Sequence, residues 1–447
     1  MKGLLDTFRN IFRIPELKAR ILFTLVLLGV YRLVSFVTLP GVNATALQQQ
    51  FSTTQGEGIL GFLNTFVGGA FGRGSIVALG IMPYISASII IQLLGVALPH
   101  IQKLQKEGES GMRKINQYTR YLTVLITMGQ AAAYITNLRT QFASAIIADP
   151  VLFTFTTVIV LTAGTLFLVW LGEQITERGL GNGTSLIIAI GIIAELPQAL
   201  LNEATTNAPL VFFLEVVALA FVTVLVILLT QGVRKVPVNY ARRMVGNKMM
   251  GGMTSTARQY IPLKLNAAGV MPIIFAQSLM FLPATVAQFF PESGFWIATG
   301  TAFADFTGFW YNLVFALMIV VFTYLYTAIA YNPNDIADQL KRSGGFIPGV
   351  KPGKKTSEHL DTIMTRITLP GSLFLALVAI LPAFASAAGV SSQFAQFFGG
   401  TSLLIMIGVV LDTLQQVNSH LLNKRYDGLM RSGRVQQGRA TTLGATA

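Results

Sequence analysis

Three histidines, His100, His359 and His420, and no cysteine are all that the chain offers for metal or thiol chemistry. A zinc hydrolase of the HExxH type needs two histidines one helical turn apart, and that spacing does not occur. A serine nucleophile needs a base within reach, yet each histidine falls near or beyond the end of an apolar stretch. Absence of cysteine removes disulfides, thiolate metal sites and thiol catalysis. Two glycine-rich runs imitate phosphate cradles. Gly179-Leu180-Gly181-Asn182-Gly183-Thr184 has no strand before it and no lysine after it, and reads as a turn entering a helix. Pro352-Gly353-Lys354-Lys355-Thr356 matches the end of a P-loop but lacks the earlier glycine. No enzyme, metal or cofactor is expected.

The remaining chemistry-bearing residues are charges inside apolar stretches. Arg32 and Asp412 would be costly facing lipid, so pairing with polar neighbours or snorkelling is expected of both. An ion-coupled secondary transporter of a small solute normally carries more mid-depth carboxylates than this, and it remains the alternative reading.

The elements that hold these residues are membrane spans. The chain has 447 residues, 53% of them hydrophobic and 11% charged, and its mean hydropathy is +0.61. Runs of about 20 nearly uncharged residues recur throughout, each able to cross roughly 30 Å of hydrocarbon as a helix. Ten spans are predicted, near residues 21–39, 76–97, 118–136, 152–172, 184–201, 210–230, 267–288, 309–330, 367–386 and 401–420. Of the 32 Lys and Arg residues, 28 flank one set of ends; only Arg73 and Arg139 lie on the other, and Arg32 and Arg120 lie within or at the edge of spans. By the positive-inside rule both termini and the long loops near 231–266 and 331–366 are cytoplasmic. Topology and anionic lipid headgroups thus account for the net charge of +13 without nucleic-acid reading. Leu4, Leu5, Phe8, Ile11 and Phe12 share a helical face opposite Lys2, Arg9 and Arg13, which predicts a short helix on the cytoplasmic leaflet.

Gly80-Ile81-Met82-Pro83-Tyr84-Ile85 returns 189 positions later as Gly269-Val270-Met271-Pro272-Ile273-Ile274. These fall in the second and seventh spans, the second members of two five-span halves that, five being odd, run in opposite directions. The expected fold is therefore an all-α, polytopic membrane protein, its ten helices forming two inverted halves, 1–205 and 206–447, around a central pore. Matched Gly/Pro-interrupted spans point to the working site. Two features exceed what small-solute transport needs. Residues 58–74 are apolar but too short and glycine-rich to span, which predicts a re-entrant piece buried among helices. The two long basic loops have the composition of docking surfaces.

Several motifs together carry a resemblance: Ala78 to Leu93, Glu177-Arg178-Gly179 with Gly181-Asn182-Gly183, Val238-Asn239-Tyr240-Ala241, Pro262-Leu263-Lys264 with Asn266 and Gly269, Phe346-Ile347-Pro348-Gly349, and Gly400-Thr401-Ser402-Leu403-Leu404. In order and spacing they resemble the SecY family, the central channel subunits of bacterial protein export. The resemblance implies a protein-conducting channel in the bacterial inner membrane that passes unfolded polypeptides and releases transmembrane segments sideways. It implies an apolar pore ring of Ile81, Ile85, Ile188, Ile192, Ile274 and Ile405. Ile85, Ile192 and Ile274 share a depth on the predicted spans, whereas Ile405 lies shallower. It also implies a plug near 60–74, with Leu60, Phe62, Leu63, Phe66, Gly68, Gly69 and Arg73, and a lateral gate between spans two and three and spans seven and eight. Ser86, Gln92, Gln130 and Gln277 are expected to hold that gate closed by interhelical hydrogen bonds. The implied partners are SecE, SecG, the motor ATPase SecA, the ribosome, signal sequences and nascent chains, with docking expected of Arg242, Arg243, Lys248, Lys351 and Tyr426. Two departures stand out. Asn247-Lys248 follows Gly246 where relatives usually carry two arginines, and Lys351 replaces their usual arginine, which keeps the charge and loses the bidentate fork.

Overall fold

The computed structural model describes residues 14–54, 59–147, 149–240, 244–245, 248–249, 259–266, 269–289 and 294–443. The predicted amphipathic helix of residues 1–13 lies outside them.

The apolar runs form helices, named in chain order. They begin with α1 (Pro15–Val34), α2 (Ala44–Thr54), α3 (Ile59–Phe66), α4 (Met82–Ala97) and α5 (Pro99–Lys106). Next come α6 (Glu109–Gln141), α7 (Pro150–Arg178), α8 (Gly183–Thr206) and α9 (Pro209–Thr230). After the first basic loop follow α10 (Met271–Phe289), α11 (Gly294–Ala304), α12 (Phe309–Ala330) and α13 (Pro333–Arg342), then α14 (Lys354–Ala387), α15 (Ser392–Ala395) and α16 (Gly400–Leu443). Proline opens several of them: Pro15, Pro99, Pro150, Pro209 and Pro333 each take the first turn, where the missing N–H has no intrahelical partner to lose.

By length and apolarity, α7, α8, α9, α14, residues 309–342 and residues 400–421 each suffice to cross a membrane, and α4 with α5 makes a further span broken by a 103° bend. The other three predicted spans coincide with α1, α6 and α10. Of these, α1 falls short of that criterion because Glu16, Lys18, Arg20 and Arg32 punctuate it. Large apolar side chains stay uncovered on their outer faces, such as Leu210, Phe213, Phe221 and Leu228 on α9 and Leu369, Leu373 and Leu377 on α14. In water that surface would be a liability; in hydrocarbon it is the expected lipid face.

The second and seventh spans begin later than predicted. Residues 76–81 are turns, and α4 starts at Met82 because Gly80 takes a left-handed φ of 58° and Pro83 cannot continue a helix toward the N-terminus. The repeat does the same at Gly269, φ 64°, and α10 starts at Met271. Conversely, α6 and α14 run well beyond their predicted spans at their polar ends.

The fold is predominantly helical as expected, and the basic loops add short strands to it. Strands β1 (Val233–Tyr240), β2 (Met244–Val245), β3 (Lys248–Met249), β4 (Gln259–Lys264) and β5 (Gly345–Phe346) form in chain order, and β1 pairs antiparallel with both β4 and β5. Alternation buries Val236 and Val238, which pack with Leu263, Leu340, Ile347, Leu360 and Met364. The two loops are therefore one unit with its own small core.

Candidate pore and its closing segment

The six isoleucines named for the ring lie in one buried apolar cluster, with exposures from 0% for Ile192 to 9% for Ile85. Their helices touch in sequence: α4 against α10, α10 against α16, α16 against α8. A backbone rule positions three of them. Ile85, Ile274 and Ile405 each stand five residues after a left-handed glycine, Gly80, Gly269 and Gly400, with φ of 58°, 64° and 59°. Each of these glycines breaks the chain direction, a helix starts just after it, and its isoleucine emerges near the helix's first turn. Two sequence expectations change here. Ile81 is the N-cap residue of α4, before the helix rather than inside it. Ile405, expected to lie shallower, is as buried as its companions at 1% exposure and keeps their five-residue spacing from its glycine. On α8, Ile188, Gly191 and Ile192 share a face by their i, i+3, i+4 spacing.

The segment 59–75 packs onto this cluster. Phe66, Val67 and Ala70 belong to the same core as the six isoleucines, while Leu63 and Phe71 pack with Tyr134, Ile135 and Leu138 of α6. The sequence reading named Leu60 and Phe62 too, but their side chains lie outside the described residues. Helix α3 ends at Phe66, and glycines at 68, 69 and 74, with φ of 67°, 78° and 61°, fold the chain back. The turn is held by polar contacts that the sequence reading missed. Tyr31 Oη donates to the Val67 carbonyl (3.2 Å) and Tyr134 Oη to the Phe71 carbonyl (3.0 Å). Asn64 Oδ1 accepts from the Gly72 amide (2.7 Å). Gly191 matters equally, since a Cβ there would lie 3.0 Å from the Phe66 carbonyl oxygen and 3.3 Å from Tyr31 Oη. A glycine between two isoleucines on one helical face was the available signal.

Helices α4 and α6 both pack against α10, and α10 against α12, so the predicted gate walls are neighbours. The four polar residues do not bond across that seam. Gln92 Nε2 donates to Ser88 Oγ on its own helix (3.3 Å), and Gln277 Nε2 to Tyr311 Oη of α12, within one wall (3.3 Å). Ser86 and Gln130 are half-buried, without a side-chain hydrogen bond among the described residues. The reason is geometric: Gln92 and Gln277 find partners one helical turn away or on the adjoining helix, and apolar contacts fill the seam.

Charged residues also resolve. Arg32 Nη1 donates to the Gly68 carbonyl (2.8 Å). Asp412 is exposed, without an ion pair among the described residues, which leaves snorkelling as the half of its expectation that the structure accommodates. Arg120 forms a two-pronged pair with Glu173 of α7. Among the docking residues, Lys351 is exposed beside β5 and its carbonyl accepts from Thr356 Oγ1 (3.0 Å). Arg242 and Arg243 lie outside the described residues, as do the side chains of Lys248 and Tyr426. Arg234, Lys235, Lys341 and Arg342 are exposed on the same loop unit, with Lys235 Nζ 4.8 Å from the centre of the Tyr260 ring.

Comparisons with known proteins identify the family. The SecY family profile matches residues 75–414. The chain is similar to the protein translocase subunit SecY of Streptomyces galbus, 43% identical over 96% of this chain and 100% of that one. It is 41% identical to the SecY of Escherichia coli over 94% of this chain and 95% of that one. In fold it resembles a solved protein-conducting channel, with a TM-score of 0.63 and 17% identity, covering 90% of this chain and 92% of that one. It also resembles the Sec61 of a canine ribosome–channel complex, at a TM-score of 0.59 and 16% identity over the same shares of the two chains. The profile match over residues 75–414, with relatives 41–43% identical over nearly the whole chain, places this membrane protein in the SecY family.

Proposed function

We propose that this chain is a protein-conducting channel that passes unfolded polypeptides across the membrane and releases apolar segments sideways into lipid. The observation that carries the reading is the single buried cluster in which six isoleucines, five within four helices and one at the N-cap of α4, meet Phe66 and Val67 of a segment too short to span. An apolar constriction holds neither ions nor water cheaply, so it seals by dewetting and yields to a passing chain. In this reading segment 59–75 is the plug of the resting state, and halves 1–205 and 206–447 part between α4 and α10. Side exit then depends on the passenger, at a few tenths of a kcal/mol in favour per Leu or Ile and roughly 3 against per central charge.

The channel supplies no energy itself. Its basic loop unit, carrying Arg234, Lys235, Lys341, Arg342 and Lys351, suits a cytoplasmic motor such as SecA or the phosphates of a ribosome. Ribosome-bound channels among the similar structures support that placement. SecE and SecG as accompanying subunits, the bacterial inner membrane and cytoplasmic termini follow from the family and the charge asymmetry.

Because the chain has no cysteine, one can be introduced at Ile85 or Ile274 without background. A thiol at either position should crosslink to a secretory chain arrested in transit, and one on the outer face, at Leu373, should not. Crosslinking at Leu373 alone, or saturable small-solute uptake with no crosslink at all, contradicts the reading.

A further inference from the structure

Above the ring, charge is arranged in a way that packing alone does not require. The Gly68 carbonyl accepts from two guanidinium groups at once, Arg32 Nη1 from α1 and Arg73 Nη2 from the far end of the closing segment. Both guanidinium groups also lie over the Phe36 ring, with Cζ at 5.1 Å for Arg32 and 4.5 Å for Arg73. Two like charges on one acceptor repel, and the repulsion is strong where water is scarce. The Arg73 Nε is buried with no hydrogen-bond partner, so this arginine is not fully satisfied by its immediate neighbours.

A carboxylate stands opposite. Glu195 lies one helical turn beyond Gly191 on α8, on the face that Gly191 leaves open to the closing segment. A Cβ on Gly69 would lie 2.3 Å from Glu195 Oε1 and 2.8 Å from Arg73 Nη2, so carboxylate and guanidinium flank the same bare glycine. Among the described residues Glu195 makes no hydrogen bond and no ion pair within 4.0 Å; it acts across the glycine by charge.

We infer that Glu195 is a latch residue for the Val67–Gly69 turn: its negative charge offsets the repulsion between Arg32 and Arg73 and lets both clamp the Gly68 carbonyl, which ties the closing segment to α1 and α8. The inference rests on the channel reading for its consequence, since a latch on this segment sets how readily the resting pore opens. It also assigns a reason for Gly69, whose side chain would otherwise occupy the space between the two charges.

The test uses the full chain in sealed membrane vesicles, with Thr65→Cys as the sole thiol. Thr65 is 7% exposed at rest, so a membrane-impermeant maleimide reports departure of the segment. Glu195→Gln should raise the labelling rate roughly fivefold, the scale of a partly buried charge contribution of about 1 kcal/mol. Adding Arg32→Gln or Arg73→Gln to Glu195→Gln should return labelling toward the parent, because one arginine no longer faces another. Unchanged labelling in Glu195→Gln, or a double variant that labels faster than either single one, overturns the latch. If Glu195→Gln does not assemble, the double variants alone decide: assembly with parental labelling supports the latch, and failure of both overturns it. Loss of crosslinking at Ile85 with the labelling pattern intact would remove the channel reading and leave the latch standing.

Discussion

Gly80 and Gly269 open their helices with nearly the same backbone, φ 58° and 64°, and the same Met-Pro pair follows each one position later. Their surroundings differ. A Cβ on Gly80 would lie 3.0 Å from Val67 Cγ2 and 3.1 Å from Cγ1, whereas among the described residues nothing lies within 4 Å of one on Gly269. The repeated backbone places Ile85 and Ile274 in one buried cluster, and the segment ending at Val67 packs on the first copy alone among the described residues. In the proposed channel, that difference would make an internally repeated scaffold a one-sided valve.

Exchange of the glycines breaks this comparison most sharply. Gly80→Ala meets both a left-handed penalty of about 1–2 kcal/mol and the Val67 side chain, and should raise resting ion conductance about tenfold. Gly269→Ala meets only the penalty, and its resting conductance should change less than about twofold, since no neighbour must move. Equal leaks in planar-bilayer recordings would erase the distinction. Next in size, Val67→Ala removes the methyl groups in the way, at roughly 1–2 kcal/mol of lost burial. It should suppress the leak of Gly80→Ala and leave Gly269→Ala unaffected; additive effects would mean that the two sites do not touch. Gly191→Ala presses on the Phe66 carbonyl from the other side, at 3.0 Å, and a rise of a few-fold in resting conductance is expected. The smallest effect belongs to Gln277→Leu. It loses a bond of 3.3 Å that stays within one gate wall, worth about 1 kcal/mol, and signal-sequence stringency measured by export of defective signals should hold. A marked relaxation would restore Gln277 to the seam.

Much of this was legible in the sequence because its signals were local. Apolar runs longer than a soluble helix needs marked the spans, and the Gly-x-Met-Pro echo marked α4 and α10 as a pair. The repeat even contained the ring's spacing, an isoleucine five residues after the glycine, which Gly400 and Ile405 repeat without the proline. The strands were harder to read, since Pro237 interrupts the alternation in β1 and its partners β4 and β5 come from two different loops. The latch charges were harder still. Arg32, Arg73 and Glu195 are far apart in sequence, and only the left-handed turn at Gly68 and Gly69 brings the two arginines to one carbonyl with Glu195 beside them. Polar partners for Gln92 and Gln277 were predicted across the gate and found nearby instead, because a glutamine side chain reaches its own helix or the adjoining one first.

The most direct measurement is the resting conductance of the purified complex after Ile81, Ile85, Ile188, Ile192, Ile274 and Ile405 are all exchanged for Asn, read alongside preprotein transport. A wetted constriction should conduct ions steadily while polypeptides still cross. A membrane that stays tight to ions, with export unimpaired, would place the seal elsewhere and contradict the account.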